Sequence, residues 1–399
     1  MSEEEMSPPK KLITPAEVLN GESPLILTAT LKPIVGDRFQ PAGFPEIGHV
    51  IYKAPRGKGT TEDVCIVDSA ASMANHLESV CQRGAHDLDL VEELDGMPYI
   101  RCVTGDLDDD KLPSNKREVV VTSLTEGHRI ASTYFFGTRN KKSGKWDGKG
   151  GQQVVPDGTV QAVSFGDELA TEEKFGIAQD GTKVAHPPPT KWWNVFKTIF
   201  AVDPNSLVHG VLFPQWQIKI PRALTAQLEA VGARRVDRSG VKFDRLGKTT
   251  SGQPIFAVDD ATAESIQATF VLDVSLIRSF GRTKKREGED EEPRLGLSTE
   301  QQEFLVALAL WKVQKLLASP FRFRSGCHLK KVALKSGDAD AEINVNIKTA
   351  IEKANFNKLP VTDVFWPREE LYREGEAPDN GNAAEETAPD GEENEGEAE

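Results

Sequence analysis

Apolar and polar residues alternate over several short segments of the chain, and a period of two predicts half-buried β-strands. In the clearest case, Leu25 to Lys32, the residues Leu25, Leu27, Ala29 and Leu31 share one face. Further strands are predicted at Tyr99–Val103, Glu118–Leu124 (with Val119 to Val121 as a central run covered on both faces), Val208–Phe213, Trp216–Ile220, Phe270–Ile277, Phe321–Arg324 and Glu342–Lys348.

Three longer segments have the spacing and end signals of helices. The first begins at Asp68 or Ser69, either of which can cap it, and runs to about Gln82. The others cover Lys191 to Phe200 and Glu300 to Ala318, and Ser298 or Thr299 is predicted to open the last of them. Strands and helices do not alternate regularly, and no repeat of 20–50 residues is visible. The pattern therefore predicts an α+β fold.

Charge divides the 399-residue chain into three parts. Residues 1–24 form a polar leader, 25–373 the body, and 374–399 an acidic tail that cannot fold alone. The tail holds 11 acidic and no basic residues, so residues 1–373, the leader and body together, have 51 acidic and 48 basic residues, against a net charge of −14 for the whole chain. A near-neutral body with clustered cations can bind nucleic acid, because local potential decides what a surface attracts. The tail either occupies that cationic surface or only keeps the protein soluble.

The chain has neither an apolar run of 18 residues nor an apolar signal segment, so we expect a cytoplasmic protein without a membrane partner. Its four cysteines form no CxxC pair, and its histidines do not have zinc-finger spacing. Gly247, Lys248 and Thr249 lack the first glycine of a phosphate-binding loop, because Lys242 stands there. We therefore expect neither metal nor cofactor.

A basic insertion covers residues from about 137 to 190. It is rich in glycine and lysine and closes on three consecutive prolines, Pro187 to Pro189. A cationic arm with one stacking ring is typical of contacts with single-stranded nucleic acid, although a solvated linker has a similar composition. The candidate contacts here are Arg139, Lys141, Lys142, Lys145, Trp146 and Lys149.

The segment from Ile34 to His49 combines prolines and glycines with two phenylalanines and one arginine. Arg38, Phe39 and Gln40 are candidates for binding a planar or anionic group of a ligand. The alternative is a structural loop in which Phe39 and Phe44 are buried plugs.

Other cations follow or lie on predicted strands. His128 and Arg129, beside Glu126, can form a general base with an anion clamp, or a hydrogen-bonded turn that contacts phosphate. Arg222 follows a strand, and Arg322 and Arg324 share one strand face, where they can cradle phosphate or be solvated.

Four ordered blocks are similar to one known family: GDRFQPAGFPEIG, Asp68 to Val80, Glu126 to Ser132, and Gly240 to Arg245. The chain resembles the backbone subunit of the type I-G (formerly I-U) CRISPR Cascade, a member of the RAMP superfamily. The resemblance implies a ferredoxin-like (RRM-like) core with finger and thumb insertions. Lys242 and Arg245, in the fourth block, complete the candidate RNA contacts.

The resemblance also implies a function. Several copies would line up along a CRISPR RNA, beside other Cascade subunits, and leave the bases free to pair with target DNA. No aromatic strand of the RNP type is present, so loops and backbone contacts are expected to hold the RNA. No catalytic residue is expected; the alternative is a RAMP-type endoribonuclease that uses His128.

Overall fold

The computed structural model describes residues 10–43, 48–137, 150–177, 186–236, 260–283, 294–356 and 360–371. These residues form 22 strands and 10 helices, which confirms the predicted α+β class. The helices are α1 (Pro15–Asn20), α2 (Ala70–Ser79), α3 (Thr133–Phe136), α4 (Phe165–Ala170), α5 (Trp192–Val202), α6 (Asn205–His209), α7 (Val274–Ser279), α8 (Thr299–Leu316), α9 (Ile347–Ala354) and α10 (Arg368–Leu371). The strands are β1 (Lys11–Ile13), β2 (Leu25–Pro33), β3 (Ile51–Gly57), β4 (Thr60–Asp68), β5 (Gln82–Gly84), β6 (Asp87–Leu90), β7 (Tyr99–Thr104), β8 (Glu118–Thr122), β9 (Gln152–Val154), β10 (Val160–Ser164), β11 (Val211–Phe213), β12 (Ile218–Ile220), β13 (Leu224–Val231), β14 (Arg234–Val236), β15 (Asp260–Thr262), β16 (Ser265–Leu272), β17 (Gly281–Thr283), β18 (Arg294–Gly296), β19 (Phe321–Arg324), β20 (Cys327–Ser336), β21 (Ala339–Ile343) and β22 (Val361–Phe365).

A nine-stranded sheet forms the centre of the protein, in the order β1-β21-β20-β2-β16-β13-β4-β3, with β19 paired to β20. The pairs β20–β2, β2–β16 and β16–β13 are all antiparallel. The central strand β2 therefore lies between two partners that are distant in sequence. The predicted alternation in β2 is confirmed, because Leu27, Ala29 and Leu31 are buried.

One face of this sheet is covered by helices. Ala309 and Leu310 of α8 lie beside Leu27 and Phe270 of the sheet. The predicted helix end signals are confirmed: Ser298 caps α8 in a reciprocal capping box with Gln301. The opposite face of the sheet remains partly exposed, which makes it accessible to a ligand.

A second sheet contains five strands in the order β10-β9-β22-β7-β8. The prediction that Val119 to Val121 form a central strand is wrong, because β8 lies at an edge and these valines are only half-buried. A run of valines shows that a strand is apolar, but it does not show how many neighbours the strand has.

Three predicted strands are wrong over part of their length, because a capped helix begins or ends inside each of them. After Leu272, Asp273 accepts a hydrogen bond from the backbone N–H of Leu276 and starts α7. Asn346 starts α9 in the same way, so the strand predicted up to Lys348 stops at Ile343. The segment from Val208 begins as the end of α6.

Two segments expected to be peripheral contribute to the packed body. Part of the predicted leader forms β1 and α1, with Val18 and Leu19 buried. The described part of the basic insertion forms β9, β10 and α4, and Phe165 and Phe175 are core residues. None of the described helices is both long enough and apolar enough to cross a membrane.

Candidate nucleic-acid interface

The loop of residues 34–43 is tied to three strands by its own backbone. These bonds give the loop a defined path along the end of the nine-stranded sheet, next to the β19–β20 hairpin. The hydrogen bonds are Ile34 N to His328 O (3.1 Å), Gln40 N to Gly326 O (2.9 Å), Phe39 N to Ala261 O (3.0 Å), Ala261 N to Phe39 O (2.8 Å) and Ala42 N to Val67 O (2.8 Å).

The three candidate residues of this loop have different positions. Phe39 is 1% exposed and pairs with β15. Its ring is therefore a buried plug, which is the structural alternative to a ligand contact. Gln40 is half-buried and lies against Gly326. The side chain of Arg38 is 64% exposed, and its Nη1 is 3.7 Å from the carboxylate of Asp260. Of the three, only Arg38 is charged and largely exposed, and it is paired with Asp260.

A cluster of exposed cationic side chains continues from this loop along β19, β20 and the end of β2. We call it the basic seam, and it consists of Lys32, Arg322, His328, Lys330 and Lys331. The ladder places Lys32 directly opposite Lys330, and Arg322 directly opposite His328. The like charges of Lys32 and Lys330 destabilise the sheet where they lie opposite one another, so an anion between these two lysines would relieve the repulsion.

Among the residues that the structure describes, no ion pair involves the seam cations Lys32, Arg322, Lys330 or Lys331. Near the opposite margin of the same sheet three cations are paired: Lys53–Asp63 (3.1 Å), Arg56–Glu62 (2.6 Å) and Arg234–Asp63 (2.7 Å). The seam therefore offers unpaired positive charge on the β20 side of the sheet, where the next strand, β21, also carries the exposed acids Asp340 and Glu342.

Uncharged polar side chains lie on the open face between the two margins, together with Glu229 of β13, which accepts a hydrogen bond from Tyr52 (2.8 Å). Thr28 and Thr30 of β2 stand opposite Thr269 and Gln267 of β16, and Gln227 of β13 follows in the next strand. Hydroxyl and amide groups can donate hydrogen bonds to sugar and phosphate oxygens without reading bases. The open face thus continues the seam as a surface suited to a polar backbone.

Asp68 connects the β19–β20 hairpin to the start of α2. Its buried carboxylate accepts hydrogen bonds from Arg324 and from Ser72 (2.9 Å), and His76 Nε2 is 3.0 Å away. Burial alone would raise the pKa of Asp68, but the bonds from His76 and Ser72 and the charge of Arg324 hold it below its ordinary value. Arg324 is therefore occupied in positioning the hairpin.

Asp68, His76 and Ser72 do not have the geometry of a catalytic triad. In a triad the carboxylate and the nucleophile contact different nitrogens of the imidazole. Here Asp68 Oδ2 and Ser72 Oγ both approach Nε2, at 3.0 and 3.4 Å. The ring of His76 instead packs edge-on against Phe321 and Phe323, which supports the same hairpin.

The side chains of the Glu126 to Arg129 turn point to different partners. Glu126 accepts a hydrogen bond from Ser132 (2.8 Å), whereas Arg129 is buried and bound to Glu78 through two bonds of 2.7 Å. Arg129 also has a φ of +52°, an uncommon value for a residue with a side chain. His128 is exposed. The turn therefore does not assemble a base and a clamp, and Arg129 has no free donor directed to solvent.

The Glu78–Arg129 pair belongs to a buried polar network between α2, α6 and α8. Asn205 donates to Glu78 Oε1 (2.7 Å), and Lys312 donates to Asn205. Asp203 lies beside the network, and burial raises its pKa to about 7. All five side chains are almost completely inaccessible, so the network is a structural element of the core.

Of the sequence candidates, Arg322 lies in the basic seam and Arg38 lies in the adjoining loop. The seam also contains Lys32, His328, Lys330 and Lys331, which the sequence analysis did not select. The alternating FRFR segment followed by HLKK was the available signal. Arg222 is exposed after β12. The remaining candidates lie outside the described residues: Arg139, Lys141, Lys142, Lys145, Trp146, Lys149, Lys242 and Arg245.

Comparison with known protein families gives a match. A family model described as CRISPR-associated protein GSU0053 matches residues 25–235, which is more than half of the chain. The matched region includes β2, the loop of residues 34–43, α2 and the Glu126 to Arg129 turn. No curated protein matches the chain.

Proposed function

Because the chain belongs to the family of CRISPR-associated protein GSU0053, and so has a role in CRISPR defence, we propose that it is an RNA-binding backbone subunit. It binds the sugar–phosphate backbone of a CRISPR RNA along the basic seam and the adjoining open face. Several copies line up on one RNA within a type I Cascade complex, beside its other subunits. Target DNA then pairs with the exposed guide bases.

The observation that supports this proposal most directly is the unpaired charge of the seam. Lys32 and Lys330 face each other with no acidic partner among the described residues, whereas Lys53 and Arg56 at the other margin are paired. Two phosphates along the strands, one at each lysine, neutralise such a pair, and contacts of this kind hold a nucleic acid regardless of its sequence. This suits a protein whose specificity comes from its guide.

The topology supports the RAMP assignment. The succession β2, α2, β13, β16, α8 and β20 follows the β-α-β-β-α-β order of a ferredoxin-like unit. The sheet order β20-β2-β16-β13 is antiparallel throughout, and α8 covers one face. The face left open is the one on which Lys32 and Lys330 lie. The fold thus leaves room for a strand of RNA beside the seam.

The test measures the affinity for single-stranded RNA as a function of salt concentration. Each lost phosphate contact lowers the slope of log affinity against log salt by about 0.7. A double variant, Lys32→Gln with Lys330→Gln, should therefore lower the slope by about 1.4. Arg38→Gln and Arg322→Gln should each lower it by about 0.7.

The other margin of the same sheet provides a matched control. Lys53→Gln with Arg56→Gln removes the same number of charges, but from side chains already paired with Asp63 and Glu62. This variant should keep the wild-type slope. If the seam and control variants lower the slope equally, binding follows net charge and the seam is not the RNA site.

A further inference from the structure

The basic seam carries unpaired positive charge whether or not RNA is present. Lys32 and Lys330 face each other across the β2–β20 ladder, and the next residue, Lys331, is exposed opposite the buried Leu31. With no acidic partner among the described residues, the charges of Lys32 and Lys330 repel one another in the free protein. An acidic segment of the same chain would be held close to the seam at all times.

The longest acidic segment of the sequence has the complementary charge. Residues 374–399 include nine glutamates, two aspartates and no lysine or arginine. The acids are spaced along the whole segment, at intervals of one to six residues. A row of carboxylates of this kind can approach a row of lysine ammonium groups in several registers, as a nucleic-acid backbone does.

The segment is long enough to reach the seam from any point on the surface. The described chain ends at Leu371, in α10, and 28 residues follow. A segment of that length spans up to about 90 Å when it is fully extended. A compact body of about 370 residues has a radius of gyration near 21 Å, and is therefore roughly 54 Å across.

We propose that residues 374–399 dock on the basic seam and compete with nucleic acid for it. The inference rests on the proposed function for the identity of the competitor, but the docking itself requires only the seam. A tether holds the segment at an effective concentration on the order of 1 mM. If its intrinsic dissociation constant is about 100 µM, RNA binding weakens about tenfold at low salt. A guide RNA with many phosphate contacts displaces it, whereas short or incidental RNA does not.

The docking is tested directly by zero-length cross-linking of carboxylates to amines in the full chain, without RNA. The expected products join acids of residues 374–399 to Lys32, Lys330 or Lys331, and they decrease as salt increases. The control amine is Lys53, which is exposed but already paired with Asp63. Cross-links to Lys53 and to the seam at equal frequency, or none to the seam, would overturn the proposal.

The competition is tested with a full-length variant in which the 11 acids of residues 374–399 become glutamine or asparagine. This variant should bind short single-stranded RNA about tenfold more tightly at low salt, and nearly as wild type does at high salt. In the background of Lys32→Gln with Lys330→Gln, the same change should have little effect. A tenfold gain that persists in that background would show that the segment acts elsewhere.

The two proposals fail in different ways. If the cross-links form but Lys32→Gln with Lys330→Gln keeps the wild-type slope of log RNA affinity against log salt, the segment docks on the seam and the assignment of the seam as an RNA site is wrong. If the seam variant loses its slope but no cross-link forms and neutralising residues 374–399 changes nothing, the seam binds RNA and the docking proposal is wrong.

Discussion

Replacing Arg129 by methionine should destabilise the protein without removing an RNA contact. Arg129 is buried, and both oxygens of Glu78 accept its hydrogen bonds at 2.7 Å. In Arg129→Met the carboxylate of Glu78 keeps only the bond from Asn205. Removing one member of a buried ion pair costs about 3–5 kcal/mol, because the other charge remains in a medium that solvates it poorly.

This cost can be converted into a melting temperature. Unfolding entropy is about 2.1 cal/mol/K per residue, so for the roughly 300 residues that the structure describes each kcal/mol lowers the melting temperature by about 1.6 °C. Arg129→Met should therefore lower the melting temperature by roughly 5–8 °C, as measured by differential scanning calorimetry. The control is Arg56→Met, which breaks the exposed pair with Glu62 and should cost less than about 1 kcal/mol.

A double replacement separates the charge from the packing. In Glu78→Gln with Arg129→Met no charge is left unpaired between these two positions, so part of the lost stability should return. Equal melting temperatures for Arg129→Met and Arg56→Met would refute the argument. So would a folded Arg129→Met protein whose salt slope for RNA falls by about 0.7, because that change is expected only of a phosphate ligand.

Four further outcomes are expected. The folded-state pKa of Asp203 is raised to about 7 from an ordinary 3.8, so the free energy of unfolding falls as the pH rises between these values. From pH 5 to 7 the melting temperature of Asp203→Asn should therefore fall less than that of the wild type. An RNA length series should add protein copies in integer steps in native mass spectra, since a head-to-tail contact that does not close gives an open filament; one fixed oligomer would contradict this. The purified protein should not cleave RNA, and His128→Ala should change RNA binding little; loss of a wild-type cleavage activity in that variant would show the reverse. Lys141→Ala with Lys142→Ala should lower the salt slope by about 1.4, and an unchanged slope would exclude both as phosphate contacts.

Local patterns in the sequence predicted the elements whose structure is determined locally. The alternation of Leu27, Ala29 and Leu31 identified β2, and Ser298 identified the start of α8. Both signals depend on residues a few positions apart. The α+β class follows from the number and mixture of such elements.

The same reasoning did not show where the charged side chains point. Arg129 appeared to be a surface cation because its partner, Glu78, lies 51 residues upstream. The sequence candidates covered only part of the basic seam, because the register that places Lys32 opposite Lys330 joins strands about 300 residues apart. The sequence left open whether Phe39 contacts a ligand or is buried for the same reason, since its partner strand begins at Asp260. Long-range pairing, which a single sequence does not display, decides all three.

The position of β2 between β16 and β20 has a consequence for synthesis on the ribosome. β2 ends at Pro33, but its first partner begins at Ser265 and its second at Cys327. At about 5–20 residues per second, some 10 to 50 seconds pass before either partner exists. During that time the apolar face of β2 has no partner strand beside it. The nascent chain therefore avoids aggregation only because chaperones bind it or because nascent chains meet one another slowly. A stop codon anywhere before β20 should therefore leave an insoluble fragment, and not a smaller folded protein.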